Sequence, residues 1–196
     1  MPEMISVEPK SIITQPRERV ALLIDKSISM NAYFSGKLRI QAAGEAVQAI
    51  VANSDPRITH YALFSFDYHT DLWVDYTDEF LIICSSSFLS PSGGTSLGEG
   101  ISDVLEYKTK PNRIILLTDG ECDHHRALQA ASLAKEMHVI IDAIAIGEAS
   151  DEFLRQLAEL TGGKFSRAGS PEQLAEMFSK LETRTRFLLE HQQVNL

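Results

Sequence analysis

The sequence has few of the features that mark secreted, membrane-spanning or nucleic-acid-binding proteins. It contains two cysteines, Cys84 and Cys122, in 196 residues, which are too few for the disulfide framework of a small secreted domain. No stretch approaches the roughly 18 apolar residues that a membrane span requires, and residues 1–19 lack the apolar segment of a signal peptide. These absences predict a cytoplasmic protein with free thiols and no membrane contact.

Positive charge is also scarce. The chain has 27 acidic and 18 basic residues, and its formal net charge is −9. It therefore has no overall positive field to attract a phosphate backbone, and we expect no nucleic-acid partner. The apolar fraction of 44% and the charged fraction of 23% are typical of globular domains, and the length fits one domain.

Three continuous apolar runs, residues 20–24, 114–117 and 139–146, have the pattern of strands that are buried on both faces. The segments between them include apolar residues at helical spacing. This alternation predicts an α/β fold: an open, doubly wound, mostly parallel six-stranded sheet with helices on both faces.

The remaining strands and the last helix have weaker signals. Residues 59–66 and 71–74, separated by a short polar stretch, predict a hairpin and therefore one antiparallel edge strand. A sixth short strand is predicted near residues 164–167. Ser170, Pro171 and Gln173 form the capping-box pattern that begins a helix.

The domain boundaries follow from the same pattern. Residues 1–18 show no periodicity and are predicted to form an arm, residues 19–190 the domain, and residues 191–196 a polar tail.

Oxygen-bearing side chains follow two of the buried runs. Asp25, Ser27 and Ser29 come directly after the first run, and Asp119 comes after the second. Between them lies Ser92-Gly93-Gly94-Thr95-Ser96, in which paired glycines permit a tight loop that presents a hydroxyl. Since ligands of open parallel sheets bind beyond the carboxyl ends of the strands, we expect these groups to converge.

Five oxygen ligands, two of them anionic, suit a hard divalent cation such as Mg²⁺ or Mn²⁺. One coordination position remains for a ligand from another molecule, and a carboxylate is the best match for the residual positive charge. The five candidate metal ligands are Asp25, Ser27, Ser29, Thr95 and Asp119.

These residues resemble the metal-ion-dependent adhesion site (MIDAS) of von Willebrand factor A (VWA) domains, and the resemblance extends from about residue 20 to residue 181. Phe66, the strand end at residues 144–147 and the stretch 158–165 also fit the family pattern. Ile28 departs from it, because the family often has a small residue there. The resemblance implies an intracellular, stand-alone interaction module that binds an Asp or Glu of a protein partner through Mg²⁺ or Mn²⁺.

Two other functions compete with this interpretation. A nucleotide-binding protein of the same fold class would carry a glycine-rich phosphate motif after the first strand, and none is present. A metal-dependent phosphoester hydrolase would need a nucleophile or base, and the sequence singles out neither. We therefore expect no enzymatic activity.

The run Cys122-Asp123-His124-His125 has two interpretations. Its soft ligands are compatible with a second metal site. Alternatively, Asp123 caps a helix that begins near His124, and the other side chains are solvated. Lys26, beside the candidate ligands, is expected to point to solvent.

Overall fold

Eight strands are present in the computed structural model, which describes residues 17–53, 57–77, 90–120, 122–178 and 180. In chain order they are β1 (Glu18–Asp25), β2 (Tyr33–Phe34), β3 (Lys37–Leu38), β4 (Thr59–Phe66), β5 (Thr70–Thr77), β6 (Arg113–Thr118), β7 (Ile140–Ala145) and β8 (Phe165–Arg167). The helices are α1 (Arg39–Asn53), α2 (Leu97–Glu106), α3 (His124–Glu136) and α4 (Asp151–Leu160), with a 3₁₀ turn at Ile28–Asn31 and a last helix at residues 171–178.

Six of these strands form one sheet in the order β5-β4-β1-β6-β7-β8. All neighbours are parallel except β4 and β5, which form an antiparallel pair at the edge. The predicted six-stranded, mostly parallel sheet with one antiparallel edge strand is therefore confirmed. The small β2–β3 hairpin was not predicted, because its strands have only two residues each.

Both faces of the sheet are covered, as the continuous apolar runs predicted. On one face, Leu22 and Ile24 of β1 belong to a core that includes α1 and the last helix. On the other face, Ala21 and Leu23 belong to a core built with α2, α3 and α4. Successive residues of a strand point to opposite faces of the sheet. Since both faces are covered, both sets of side chains in β1 are apolar.

Helix α2 was not among the predicted helices, since Gly98 and Gly100 weaken its helical signal. Both glycines serve close packing. A Cβ at Gly98 would lie 2.8 Å from the backbone carbonyl carbon of Arg126 in α3, and one at Gly100 would lie 3.1 Å from the ring of Phe66. The absence of side chains allows α2 to approach α3 and β4.

The last helix begins close to the predicted capping box. The amide of Gln173 donates to Oγ of Ser170 over 3.3 Å. The side chain of Gln173 accepts from the amide of Gly169, one residue earlier than a standard box requires. Most of the predicted arm, residues 1–18, lies outside the described residues, although its last residue, Glu18, begins β1. The predicted tail after residue 190 also lies outside them, so the domain boundaries stay predictions.

A buried ion pair joins the central strands. Nη1 of Arg113 in β6 lies 2.8 Å from Oδ2 of Asp142 in β7, and the two side chains are 6% and 2% exposed. Oδ1 of Asp142 also accepts from the amide of Lys164, just before β8. An acidic residue inside an apolar strand is tolerated here because both carboxylate oxygens have donors.

Replacing Asp142 with alanine should lower the free energy of unfolding by about 3 kcal/mol, because the buried Arg113 charge then keeps only Glu18, 3.2 Å from its Nε, as a partner. Chemical denaturation measures this loss. The matched control is Glu45→Ala, which breaks an exposed ion pair with Lys37 and should cost no more than about 1 kcal/mol. Equal losses in the two variants would show that the buried pair has no special structural role.

Candidate metal centre

The segment Asp25 to Ser29, the metal loop, curls tightly at the end of β1. The amide of Ser27 donates to Oδ1 of Asp25 over 2.8 Å. The hydroxyl of Thr118, the last residue of β6, donates to Oδ2 of Asp25 over 2.6 Å. The hydroxyl oxygens of Ser27 and Ser29 lie 3.0 Å apart. Asp25 is fully buried, so the loop gathers one carboxylate and two hydroxyls at the sheet edge.

Asp119 reaches the same edge because β1 and β6 are parallel neighbours, with Ile24 opposite Leu117. Its side chain is buried, and Oδ2 accepts from Nη1 of Arg39 over 2.9 Å. Oδ1 is also buried, and no hydrogen-bond donor for it lies within the described part of the chain. One carboxylate oxygen of Asp119 is thus left for a ligand.

The glycine loop, residues 90–96, lies against the metal loop. The amide of Ser92 donates to the carbonyl of Lys26 over 2.8 Å, and the amide of Ile28 donates to the carbonyl of Gly93 over 3.3 Å. A Cβ at Gly94 would lie 2.6 Å from the ring of Tyr68, so glycine is required for this packing. The amide of Ser96 donates to the carbonyl of Asp67 over 2.7 Å, so half-buried Thr95 lies in the chain between two points that are anchored near the metal loop.

Asp67 supports this arrangement and was not singled out from the sequence. Its Oδ2 accepts from the hydroxyl of Ser92 over 2.6 Å and lies 3.2 Å from Nζ of Lys26. Lys26 also pairs with Asp71 and is only 13% exposed, so the expectation that it points to solvent was wrong. Asp67 directly follows β4, and the strand-end pattern that identified Asp25 and Asp119 could also have identified it.

Asp25 in the metal loop and Asp67 beside it have opposite environments. Burial raises the pKa of Asp25 to about 6, against the hydrogen bonds from Ser27 and Thr118, and the nearby charge of Asp119 raises it further. Burial also opposes ionisation of Asp67, but hydrogen bonds from Ser92 and the His69 amide and the charge of Lys26 hold its pKa at about 2. The charge of Asp67 is therefore stabilised by its neighbours, whereas no positively charged group offsets the burial of Asp25.

The alternative metal site at residues 122–125 is not supported. Oδ1 of Asp123 accepts from the amides of His125 and Arg126, which caps α3. The ring of His124 stacks on Phe153 at 3.8 Å. Burial raises the pKa of the Cys122 thiol to about 12, which disfavours the thiolate that binds metals. Within the described ranges, no three His, Cys, Asp or Glu residues form such a group. Cys84 lies outside those ranges.

The donor set at the sheet edge fits a hard divalent cation. It combines neutral hydroxyl oxygens with two buried carboxylates, and it contains no sulfur or imidazole. A bound cation would supply the partner that Oδ1 of Asp119 lacks. It would also offset the burial of the Asp25 charge.

A family comparison agrees with this geometry. The sequence model of the von Willebrand factor type A domain family matches residues 20–180 of this chain. The chain belongs to this family. VWA domains are commonly protein-interaction modules and are generally not enzymes.

Individual proteins that this chain resembles share less than a third of its residues. A UPF0353 protein of Mycolicibacterium vanbaalenii is 28% identical, with 89% of this chain and 63% of the relative covered. An aerotolerance-related membrane protein from Bacteroides fragilis, solved with multiple mutations to serines, has a TM-score of 0.68 at 15% identity, with 85% and 99% covered. Proximal thread matrix protein 1 from the mussel byssus, with a zinc-occupied MIDAS motif, has a TM-score of 0.66 at 21% identity, with 84% and 45% covered.

The expectation of a cytoplasmic protein is contradicted, because a structure similar over most of this chain is that of a membrane protein. The chain spans less than two thirds of the length of the UPF0353 relative. Among the helices that the structure describes, none is both long enough and apolar enough to cross a membrane. The absence of a long apolar run was therefore not sufficient to predict the protein's location.

We expect Asp25→Asn to stabilise the metal-free protein at neutral pH, because the change removes a buried charge. Asp25 has a pKa of 3.8 when unfolded and about 6 when folded. Its contribution to stability is therefore complete below pH 3.8 and is lost as the pH rises through about 6. The difference of about two units corresponds to up to roughly 3 kcal/mol.

Denaturation in EDTA at pH 4.5 and pH 7.5 measures this difference. The advantage of the asparagine variant should be larger at the higher pH. The matched control is Asp71→Asn, at a half-exposed carboxylate, which should show no such gain. An asparagine variant that is less stable than wild type at both pH values would contradict the expectation.

Proposed function

We propose that this chain is a metal-dependent protein-interaction module. The five candidate ligands bind Mg²⁺ or Mn²⁺, and a Glu or Asp of a protein partner supplies a further ligand. The main support is the buried, unpaired Oδ1 of Asp119, at the same edge as the Asp25 carboxylate and the paired hydroxyls of Ser27 and Ser29.

The chemistry of the donors explains why the partner group should be acidic. The metal would supply a positive charge at the surface. Three of the five candidate ligands, Ser27, Ser29 and Thr95, are neutral hydroxyls, so they do not cancel that charge. The two carboxylates are buried and fixed by hydrogen bonds or an ion pair. An external carboxylate is therefore the most complementary further ligand.

The surface around the metal loop suits a protein partner. Ile28 and Tyr68 are 61% and 65% exposed. Both contact the glycine loop: the amide of Ile28 bonds to the Gly93 carbonyl, and the Tyr68 ring packs against Gly94. Large exposed apolar side chains beside a polar site are typical of interaction surfaces. Ile28, which departs from the family pattern, thus projects outward from the loop.

The relatives support two further parts of the proposal. The zinc-occupied MIDAS motif of the mussel protein is a precedent for a divalent cation in this fold. The membrane protein from Bacteroides fragilis supports a membrane-associated setting for the complex. We propose no enzymatic activity, in keeping with VWA domains generally.

Metal binding can be tested by isothermal titration calorimetry with Mg²⁺ and Mn²⁺. Wild type should bind one ion, and Ser27→Ala should weaken binding by at least about tenfold through loss of a direct oxygen ligand. The matched control is Ser132→Ala, which removes a hydroxyl on the outer surface of α3 that bonds to the Leu128 carbonyl. Its affinity should equal that of wild type.

Partner binding can be tested by affinity capture from detergent-solubilised native extract, in Mg²⁺ or in EDTA. Proteins retained by wild type in Mg²⁺ should be lost in EDTA and with Ser27→Ala, but not with Ser132→Ala. Retention that is the same in all four conditions would contradict the proposed function.

A further inference from the structure

Arg39 places a positive charge inside a site that is expected to bind a cation. It is the first residue of α1, and its side chain is 12% exposed. Nη1 donates to Oδ2 of Asp119 over 2.9 Å. Nε is buried, and the described residues provide no hydrogen-bond acceptor for it. Burying a guanidinium that is only partly hydrogen-bonded costs free energy of folding, which indicates a function of Arg39 beyond stability.

The surrounding chain is built to admit this guanidinium. Gly147 adopts a φ of +62°, and a Cβ there would collide with the guanidinium of Arg39. The amide of Arg39 donates to the carbonyl of Ala32 over 2.9 Å, which fixes the start of α1. Arg167 donates to the carbonyls of Gly147 and Ala149, which holds the opposite side. The position of Arg39 is therefore determined by three separate segments.

We propose that Arg39 is a positioning residue that sets the charge of the metal site, an inference that rests on the proposed function. It holds Oδ2 of Asp119 and leaves Oδ1 directed to the metal. It also neutralises one of the two carboxylates at the site. Asp25, Asp119 and Arg39 together then present one net negative charge to the ion, where the two carboxylates alone would present two.

The charges explain what this achieves. A divalent cation with Asp25 and Asp119 alone would form a neutral site. With Arg39 included, the sum is one positive charge, which a single carboxylate from the partner neutralises. The nearby Lys26, Asp67 and Asp71 pair with one another and together carry one net negative charge, which is the same in every Arg39 variant. Arg39 therefore weakens the binding of the metal and strengthens the attraction of the metal-bound site for an acidic partner.

The test compares wild type with Arg39→Met, which removes the charge and keeps the length, and Arg39→Lys, which keeps the charge. Calorimetry with Mn²⁺ should show about tenfold tighter metal binding by the methionine variant, because a nearby positive charge has been removed. The lysine variant should stay close to wild type. In EDTA, the methionine variant should unfold at a lower temperature, since Asp119 has lost its partner.

The second readout uses acetate as a probe for the partner's carboxylate. Replacing chloride with acetate at equal ionic strength should tighten Mn²⁺ binding by wild type and by Arg39→Lys more than by Arg39→Met. A residue with a purely structural role would not produce this difference.

The outcomes separate the two claims. If wild type binds metal and Arg39→Met binds it more weakly, the role of Arg39 is contradicted while the proposed function stands. The role is equally contradicted if acetate affects all three proteins alike. If wild type binds no metal, the proposed function itself is contradicted.

Discussion

The burial of two carboxylates at one end of the sheet is the constraint on which the site depends. The parallel pairing of β1 with β6 places Asp25 and Asp119 at the same end of the sheet, and the charge of Asp119 contributes to the raised pKa of Asp25. Ser27 and Thr118 stabilise one carboxylate by hydrogen bonds, and Arg39 stabilises one oxygen of the other. Positive charge at the site is still insufficient, and a divalent cation would supply it.

The rest of the sheet shows that this imbalance is local. Arg113 and Asp142 form a matched pair between β6 and β7, away from the carboxyl end of the sheet. Asp67 is also satisfied, by Lys26, Ser92 and a backbone amide. Among the described residues, the other buried aspartates are therefore paired, whereas Asp25 and Asp119 have less positive charge nearby than they need. A site that binds an ion sacrifices stability in the metal-free state.

Much of the fold and of the candidate site could be predicted from local patterns. The apolar runs that end at Asp25 and before Asp119 define both the parallel strands and the edge where the acids meet. The hairpin of β4 and β5 was predicted from the short polar stretch between the two segments. These features depend on residues that are adjacent in sequence, so they are visible without coordinates.

The features that were not predicted depend on contacts between distant segments. Arg39 is 80 residues from Asp119, and its place depends on the absence of a side chain at Gly147. In the sequence, Thr118 is only the residue that ends an apolar strand. The pairing of β6 with β1 brings its hydroxyl to Asp25. Helix α2 was missed because its glycines, which permit packing against α3 and β4, resemble loop residues. The cytoplasmic location was wrongly predicted because composition and the lack of a long apolar run do not report whether a domain of this fold works at a membrane.

The central claim is that the sheet edge holds one hard divalent cation. The most direct measurement is an anomalous difference map from crystals of the protein grown with Mn²⁺. The account predicts a single strong peak among the oxygens of Asp25, Ser27, Ser29, Thr95 and Asp119. No peak there, or a peak at Cys122 and His125 instead, would contradict it.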